Sequence, residues 1–386
     1  MRSKAIGLSA IKQIETLARA NTRAISLAQG TPSFATPKHI RKAGIDAILN
    51  GKADKYVLPA GLLDLRIAIA DKLTRINKIT ADPETDIIIT HGATEALIAI
   101  FLTILEPDDE IIVFSPNYAT HLNQIILTKE GKPPNFVPLI ENNGWEIDWE
   151  KLNKSLTKKT KAILLCNPLN PIGKSFSQLE LIKLAELAHH HDLYIVSDEM
   201  YEYFVYEKNH TSIASLPDMK DRTLSVFGFS KTYAMTGWRV GYIAGPKLLI
   251  AEILKVHDSM VNCAAVVSQY AALTAISGPQ EIIQEFKHAY SLRRQIVLDR
   301  IKKIPLLSVF SPQAAYYAFI KIKDGKVDDW EFAKKALEEA EVALVPGSAF
   351  GPGGQGHARV SFCMDEIIIN QAFDRLEKWL PNSDFK

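Results

Sequence analysis

Val226-Phe-Gly-Phe-Ser-Lys-Thr-Tyr-Ala-Met-Thr-Gly-Trp-Arg-Val-Gly-Tyr242 ends one apolar, β-rich run (Thr223–Phe227) and leads into another (Val240–Ala244). The same alternation extends outward. Asp86–Thr90, Glu110–Phe114, Ala162–Cys166 and Leu193–Ser197 read as further strands, and Thr94–Leu105 and Ser177–His190 as helices between them. Near-continuous apolar strands separated by helices imply a mostly parallel sheet buried on both faces, with helical crossovers. Ligands of such sheets sit outside the carboxyl ends of the strands. Lys231, in a Gly-rich turn after a strand, is poorly placed for a solvated charge. Burial favours its neutral amine, a nucleophile for carbonyls. Arg239 follows eight residues on, past a turn at Gly237, and can fold back towards the same place as an anion holder.

Beyond Gly278-Pro279 the pattern changes to α+β. A long helical stretch from Gln280 to about Lys303 precedes Ala315–Ile322, Trp330–Ala340 and Ala358–Phe362. The expected fold class is therefore α/β, a mostly parallel sheet sandwiched by helices, with a second, smaller α+β domain. The large domain is assigned to residues 51–280, and the small one to residues 1–50 plus 281–386. The N-terminal segment reads as an amphipathic helix with Ile11, Ile14, Leu17 and Ala18 on one face.

Charge and composition exclude several classes. Among 386 residues, 45 basic and 44 acidic side chains nearly cancel, which removes the electrostatic footprint of a nucleic-acid binder. Three scattered cysteines argue against a disulfide scaffold and a thiolate metal site. No apolar run approaches the ~20 residues of a membrane span, so a soluble, cytoplasmic protein is expected. His189-His190-His191 superficially suggests a metal tract, but consecutive helical residues point in different directions, and a solvated helix end is the better reading. Gly351-Pro-Gly-Gly-Gln-Gly356 fits a dinucleotide pattern only formally, because a strand follows it instead of a helix. No metal is expected.

Four motifs lie where strands end. Thr90-His-Gly-Ala-Thr-Glu95 joins a strand to a helix, so the amides of Ala93 and Thr94 and the Thr94 hydroxyl suit a phosphate; the same residues also read as an ordinary helix cap. Asp198 ends a buried strand, where a carboxylate can keep a pyridine nitrogen protonated. Glu199 beside it faces the opposite side of an extended segment, and Tyr201 can donate to a phenolic oxygen. Asn167-Pro-Leu-Asn-Pro-Ile-Gly173 is a rigid turn in which either asparagine can present its amide. Tyr118 can stack on a planar group or simply fill the core. An amine for an aldehyde, an acid for a ring nitrogen and cations for an anion are together what pyridoxal phosphate requires.

These motifs, in this order, resemble the fold-type I pyridoxal-phosphate aminotransferases of the class I/II branch. The resemblance runs from Leu27-Ala-Gln-Gly-Thr-Pro-Ser-Phe34 to Ala358-Arg-Val-Ser-Phe362 and includes Tyr56, Gly61 and Leu65-Arg66. It implies that Lys231 is the Schiff-base lysine, carrying a proton between substrate and cofactor. It implies that Asp198 pairs with the pyridinium, and Tyr201 and Asn170 with the phenolic oxygen. Ala93, Thr94, Ser230 and Arg239 would hold the phosphate, and Tyr118 would stack on the ring. Tyr56 would reach the phosphate of a neighbouring subunit, making a homodimer part of the active site. Arg359 would grip the substrate α-carboxylate, with Asn170 beside it and Gly30 allowing its close approach.

The implied activity is transfer of an amino group from an L-amino acid to a 2-oxo acid by a ping-pong cycle. A C–S or β-lyase of the same fold, or a non-catalytic binding protein, are the alternatives. Ile172, Gly228 and Ala119 depart from the family pattern without touching Lys231, Asp198 or Arg359. No second arginine for a side-chain carboxylate stands out, and Thr94, with the aromatic neighbours Phe34 and Tyr118, leans the donor towards neutral or aromatic amino acids, with 2-oxoglutarate as acceptor.

Overall fold

A computed structural model describes residues 2–323 and 325–385 of the chain. Strand β1 is Ile25–Ser26. Strands β2 to β8 are Ile87–Thr90, Glu110–Ser115, Asn135–Pro138, Thr160–Cys166, Tyr194–Asp198, Thr223–Gly228 and Gly241–Ala244. Strands β9 to β13 are Leu307–Val309, Tyr317–Ile322, Val342–Ala343, Val345–Pro346 and His357–Ser361. β2 to β8 form one seven-stranded sheet in the order β2-β8-β7-β6-β5-β3-β4. Its core is parallel, and only β8 runs antiparallel, to both β2 and β7. The α/β reading with a mainly parallel sheet is therefore correct.

The strand residues are apolar on both faces because both faces are covered. Ile88, Ile111, Val113, Leu164, Val196 and Val226 pack beneath the helix Ala93–Ile104, while Ile112, Ile163, Leu165 and Ile195 pack on the other side with Leu181 and Leu184 of the helix Gln178–His190. That second helix starts with a reciprocal capping box, Ser177 with Glu180, which satisfies two amide donors at its first turn.

β9, β10, β12 and β13 form a four-stranded antiparallel sheet in the order β12-β13-β10-β9. It packs with the long helix Glu281–Ile301 and the helix Glu366–Trp379. β1 pairs in parallel with β11, which ties the N-terminal segment to this C-terminal layer. The first long helix, Ala10–Ala20, buries Ala10, Ile11, Ile14 and Ala18. Leu17, expected on that face, is instead exposed: at 100° per residue it lies to one side of the narrow stripe defined by Ile11, Ile14 and Ala18.

Candidate active site

The carboxyl ends of β2, β3, β5, β6 and β7 face one cavity. Its wall contains Gly30, Ala93, Thr94, Tyr118, Asn170, Asp198, Tyr201, Ser230, Lys231, Arg239 and Arg359. Of the residues expected in a site, only Tyr56 lies away from this wall, with 81 % of its surface exposed.

Lys231 sits on a single helical turn, Phe229–Thr232, directly after β7. Its Nζ donates to the carbonyl oxygen of Gly30 at 2.6 Å. Burial pushes the amine down to about 8, aided by the nearby Arg359 and Arg239 guanidinium groups and opposed by Cys363 and Asp198. A lysine so placed holds a sizeable neutral fraction near neutral pH, as a carbonyl-directed nucleophile or proton carrier needs.

Asp198 is the last residue of β6, so its carboxylate projects past the sheet edge. One oxygen accepts from the Met200 amide at 3.2 Å, and the other lies 2.8 Å from His121 Nε2. His121 Nδ1 in turn lies 2.9 Å from Asn117 Oδ1, and Asn117 is held by its own amide donating to the Phe114 carbonyl. Both ring nitrogens of the buried imidazole thus face acceptor oxygens, and together they fix the carboxylate in orientation. Tyr118 meets the His121 ring edge-on, with centroids 5.2 Å apart. Glu199, as the extended geometry requires, points elsewhere, to Ser197, Ser212 and His210.

The anion end is built from backbone. The helix Ala93–Ile104 begins at Gly92, whose φ of 77° a side chain rarely adopts and which provides no side-chain cap. Arg239 is folded onto this turn: a Cβ at Gly92 would lie 2.8 Å from its Nη2, and its Nη1 donates to Thr236 O at 3.0 Å. A Cβ at Gly241 would press on the Ala93 amide at 3.0 Å. The glycines therefore keep open a helix N-terminus facing a guanidinium, a combination that suits phosphate.

At the opposite end Arg359, in β13, is 1 % exposed. Its Nη1 donates to Asn170 Oδ1 at 3.0 Å, Nη2 donates to the Ala28 carbonyl, and Nε is buried without a partner. The guanidinium lies over the Tyr317 ring at 4.4 Å. Tyr317 in turn exchanges a hydrogen bond with Tyr201 at 2.9 Å, and burial holds the Tyr201 phenol well above its usual range, so it remains a donor. Of the two Asn-Pro asparagines, Asn170 faces the cavity. Asn167 is structural: its oxygen accepts the Phe176 amide and its nitrogen donates to the Thr211 carbonyl.

Two of the departures have local reasons. Ile172 is fully buried in the core, and a Cβ at Gly228 would lie 2.8 Å from Met200 Sδ.

His121, Asn117, Tyr316, Tyr317 and Cys363 were not anticipated. His121 falls three residues after Tyr118, in the first turn of the helix Ala119–Thr128, and that spacing was the available signal. Tyr316 immediately precedes β10 and Tyr317 opens it, and both rings meet the Tyr201 ring edge-on, with centroids 5.3 and 5.7 Å away. Among the described residues, His121, Cys166 and Asp198 are the one grouping of metal-ligand-type atoms, within 4.8 Å of one another, and they belong to this wall. The three consecutive histidines are exposed at a helix end.

The donor set fits pyridoxal phosphate: an enclosed amine, a strand-end carboxylate, a glycine-built phosphate cradle and a guanidinium with a spare donor for a carboxylate. Residues 22–376 match the family model described as aminotransferase class I and II. The chain is 37 % identical to an aromatic-amino-acid aminotransferase 2 of Thermococcus litoralis, over 98 % of this chain and 97 % of that one. It is also 37 % identical to an aspartate aminotransferase of Pyrococcus abyssi, over 96 % and 95 %. Among solved structures it is similar to an aromatic aminotransferase from Pyrococcus horikoshii (TM-score 0.91, 35 % identity, 97 % of this chain and 100 % of that one). A Thermus thermophilus aspartate aminotransferase with maleate gives the same TM-score of 0.91 at 34 % identity, covering 98 % of both chains. Fold, wall chemistry and relatives agree that this chain belongs to the class I and II aminotransferases, the pyridoxal-phosphate-dependent enzymes that exchange amino groups between amino acids and 2-oxo acids.

Proposed function

We propose that the cavity runs a ping-pong transamination with Lys231, Asp198 and Tyr201 as its catalytic residues, and that the donor is a neutral or aromatic L-amino acid with 2-oxoglutarate as acceptor. The observation that carries this reading is the wall itself: Lys231, Asp198 and Arg359 line one cavity, and Arg359 Nε there is buried without a partner. When bound, pyridoxal phosphate supplies the aldehyde that captures an amine and a ring that withdraws electrons.

The rest is the work of the chain's own groups. Ala93, Thr94, Ser230 and Arg239 hold the phosphate. Tyr118 covers the ring, and Asp198, steadied by His121, keeps a proton on the ring nitrogen. Tyr201 and Asn170 donate to the phenolic oxygen. Arg359, with Asn170 and the close backbone of Gly30, orients the substrate α-carboxylate and so aims its Cα–H at Lys231. Lys231 Nζ, partly neutral near working pH, removes that proton and returns it. The buried rings of Tyr201 and Tyr317 close part of this wall to water, which strengthens the charge contacts beside them.

The active unit in this reading is a homodimer in the cytoplasm, with Tyr56 of one copy completing the phosphate site of the other. Exposed Tyr56, Leu58, Ile45, Ile48 and Leu49 support it, because so much apolar surface in one stretch calls for cover. The division into residues 51–280 and residues 1–50 plus 281–386 belongs to the same reading. It is supported by the seven-stranded sheet lying within the first range and the four-stranded sheet within the second.

The test is the visible spectrum of the purified protein with pyridoxal phosphate, recorded before and after single amino acids. The reading requires a visible band that one class of amino acid bleaches, that a 2-oxo acid restores and that Lys231→Ala never forms. Bleaching without restoration by any 2-oxo acid would favour a lyase instead.

A further inference from the structure

A second cavity lies between the end of the helical segment at Arg75–Lys78, the loop 202–215 and the helix Glu281–Ile301. None of its lining residues lines the catalytic cavity. Its wall carries the cations Arg75, Lys78, Lys208 and Lys287, together with His210.

The acids near it are already committed. Glu202, the one carboxylate on the wall, is buried between Lys72 Nζ at 2.5 Å and Asn77 Nδ2 at 2.7 Å. Asp71 pairs with Arg75 alone, at 2.7 Å. The lysines have no such neutralisation. Lys78 Nζ donates to the Arg75 carbonyl at 2.8 Å, whereas Lys208 Nζ is turned to the carbonyls of Ser175 and Phe176, at 3.0 and 3.3 Å, on the side of a neighbouring recess that holds Lys174, which leaves Lys78 and Lys287 as the free cations of this wall among the described residues. Among the described residues no carboxylate lies within ion-pair distance of Lys78, Lys208 or Lys287. Burial lowers the Lys287 amine with no acid to offset it.

Two side-chain atoms of the wall, His210 Nδ1 and Asn77 Oδ1, are buried without a partner. The His210 side chain is 8 % exposed, and its other nitrogen lies 2.6 Å from Glu199 Oε2. Unsatisfied buried polar atoms are uncommon in folded proteins, and a bound water or ion is one of the explanations for them.

We propose that this cavity is a binding site for a small oxyanion of the phosphate class. Several cationic donors in a recess without a free carboxylate match a compact multidentate anion, and hydrogen phosphate adds a hydroxyl that can donate where an amide oxygen lacks a partner. A recess bounded by three elements favours such an ion over an extended polymer, which would need a continuous basic track. Through His210 and Glu199 the site is one residue from Asp198, so occupancy is positioned to be felt at the catalytic carboxylate.

The experiment uses the holoenzyme, whose catalytic phosphate cradle is filled, titrated with inorganic phosphate by calorimetry at constant ionic strength set with chloride. Saturable binding of one phosphate per chain is expected. Lys287→Ala and Lys78→Ala should each weaken it roughly four- to tenfold, as loss of one charge about 5 Å away in a water-like dielectric implies, with kcat and the visible spectrum unchanged. Three results would overturn the proposal: no saturable uptake, uptake indifferent to both substitutions, or uptake abolished by excess pyridoxal phosphate, which would mean that phosphate had entered the catalytic cradle. Because the readout is phosphate binding and the variants lie outside the catalytic wall, this test can fail while transamination stands, and the reverse.

Discussion

The lowered basicity of Lys231 can be tested on the cofactor-free protein before any substrate is known. With its amine at about 8 rather than 10.5, about a quarter of the Lys231 side chains are neutral at pH 7.5, against about 0.1 % of ordinary lysines. That is a reactivity advantage on the order of two hundredfold from protonation alone. Competitive labelling with limiting cyanate, followed by mass spectrometry of the peptide carrying residue 231, measures it directly. The labelling rate should rise through a midpoint near pH 8 and then level off, whereas that of a lysine of ordinary basicity keeps rising to about pH 10. Because Arg359 and Arg239 add to the effect of burial, Arg359→Leu should move the midpoint upward. A midpoint at or above pH 10 would refute the argument that enclosure in this cavity tunes the amine.

The same shift has a stability consequence, because the folded state disfavours the charged form. The penalty is full below pH 8 and fades between 8 and 10.5, so Lys231→Met should stabilise the cofactor-free protein at pH 7 by up to about 3 kcal/mol and by little at pH 10.5. A lower Tm at pH 7 would contradict this. Arg359→Lys keeps the charge but loses the planar fork and its bond to Asn170; at about 1.5–3 kcal/mol per charge-assisted bond, kcat/KM should drop by roughly ten- to a hundredfold with the cofactor spectrum intact. Gly30→Ala places a methyl 1.8 Å from Tyr317 Oη, so Tyr317 must leave Tyr201. At least tenfold lower kcat/KM and a loss of about 1–3 kcal/mol are expected, and a variant with wild-type kinetics would mean that the tyrosine pair is dispensable.

Where the sequence was read correctly, the residues had no physical alternative. Val226–Phe227, Ile195–Val196 and Ala162–Cys166 are apolar at every position because helices cover both faces, so the strands and the strand-end position of Asp198 follow together. Direction is not encoded in that way, and nothing in Gly241–Ala244 distinguishes an antiparallel strand from a parallel one. Asn135–Pro138 went unread because a four-residue edge strand ending in proline carries little periodic signal. The helix Leu63–Lys72 has Lys72 buried on its inner face, which blurs its amphipathic stripe. In the site, backbone-built parts such as the Gly92 turn were legible because few residue types fulfil them. His121 and Tyr317 were not, because a lone histidine on a helix and a tyrosine on a strand are ordinary until the fold brings them to Asp198 and Arg359. Tyr56 stands apart for another reason: its proposed partner atoms belong to a second copy of the chain.

The carbonyl of Gly30 accepts two hydrogen bonds, from Lys231 Nζ and from the Tyr316 hydroxyl at 3.0 Å. The resting amine is therefore a latch on the N-terminal strand-to-helix segment as well as a reagent. Whenever the nitrogen is engaged elsewhere, that segment loses its charged tether and keeps only the neutral one. A charge-assisted bond contributes about 1.5–3 kcal/mol, so release shifts the segment's opening equilibrium by roughly ten- to a hundredfold. The cavity wall beside Arg359, where Gly30 lies, thereby registers the chemical state of a residue two hundred positions away in the chain.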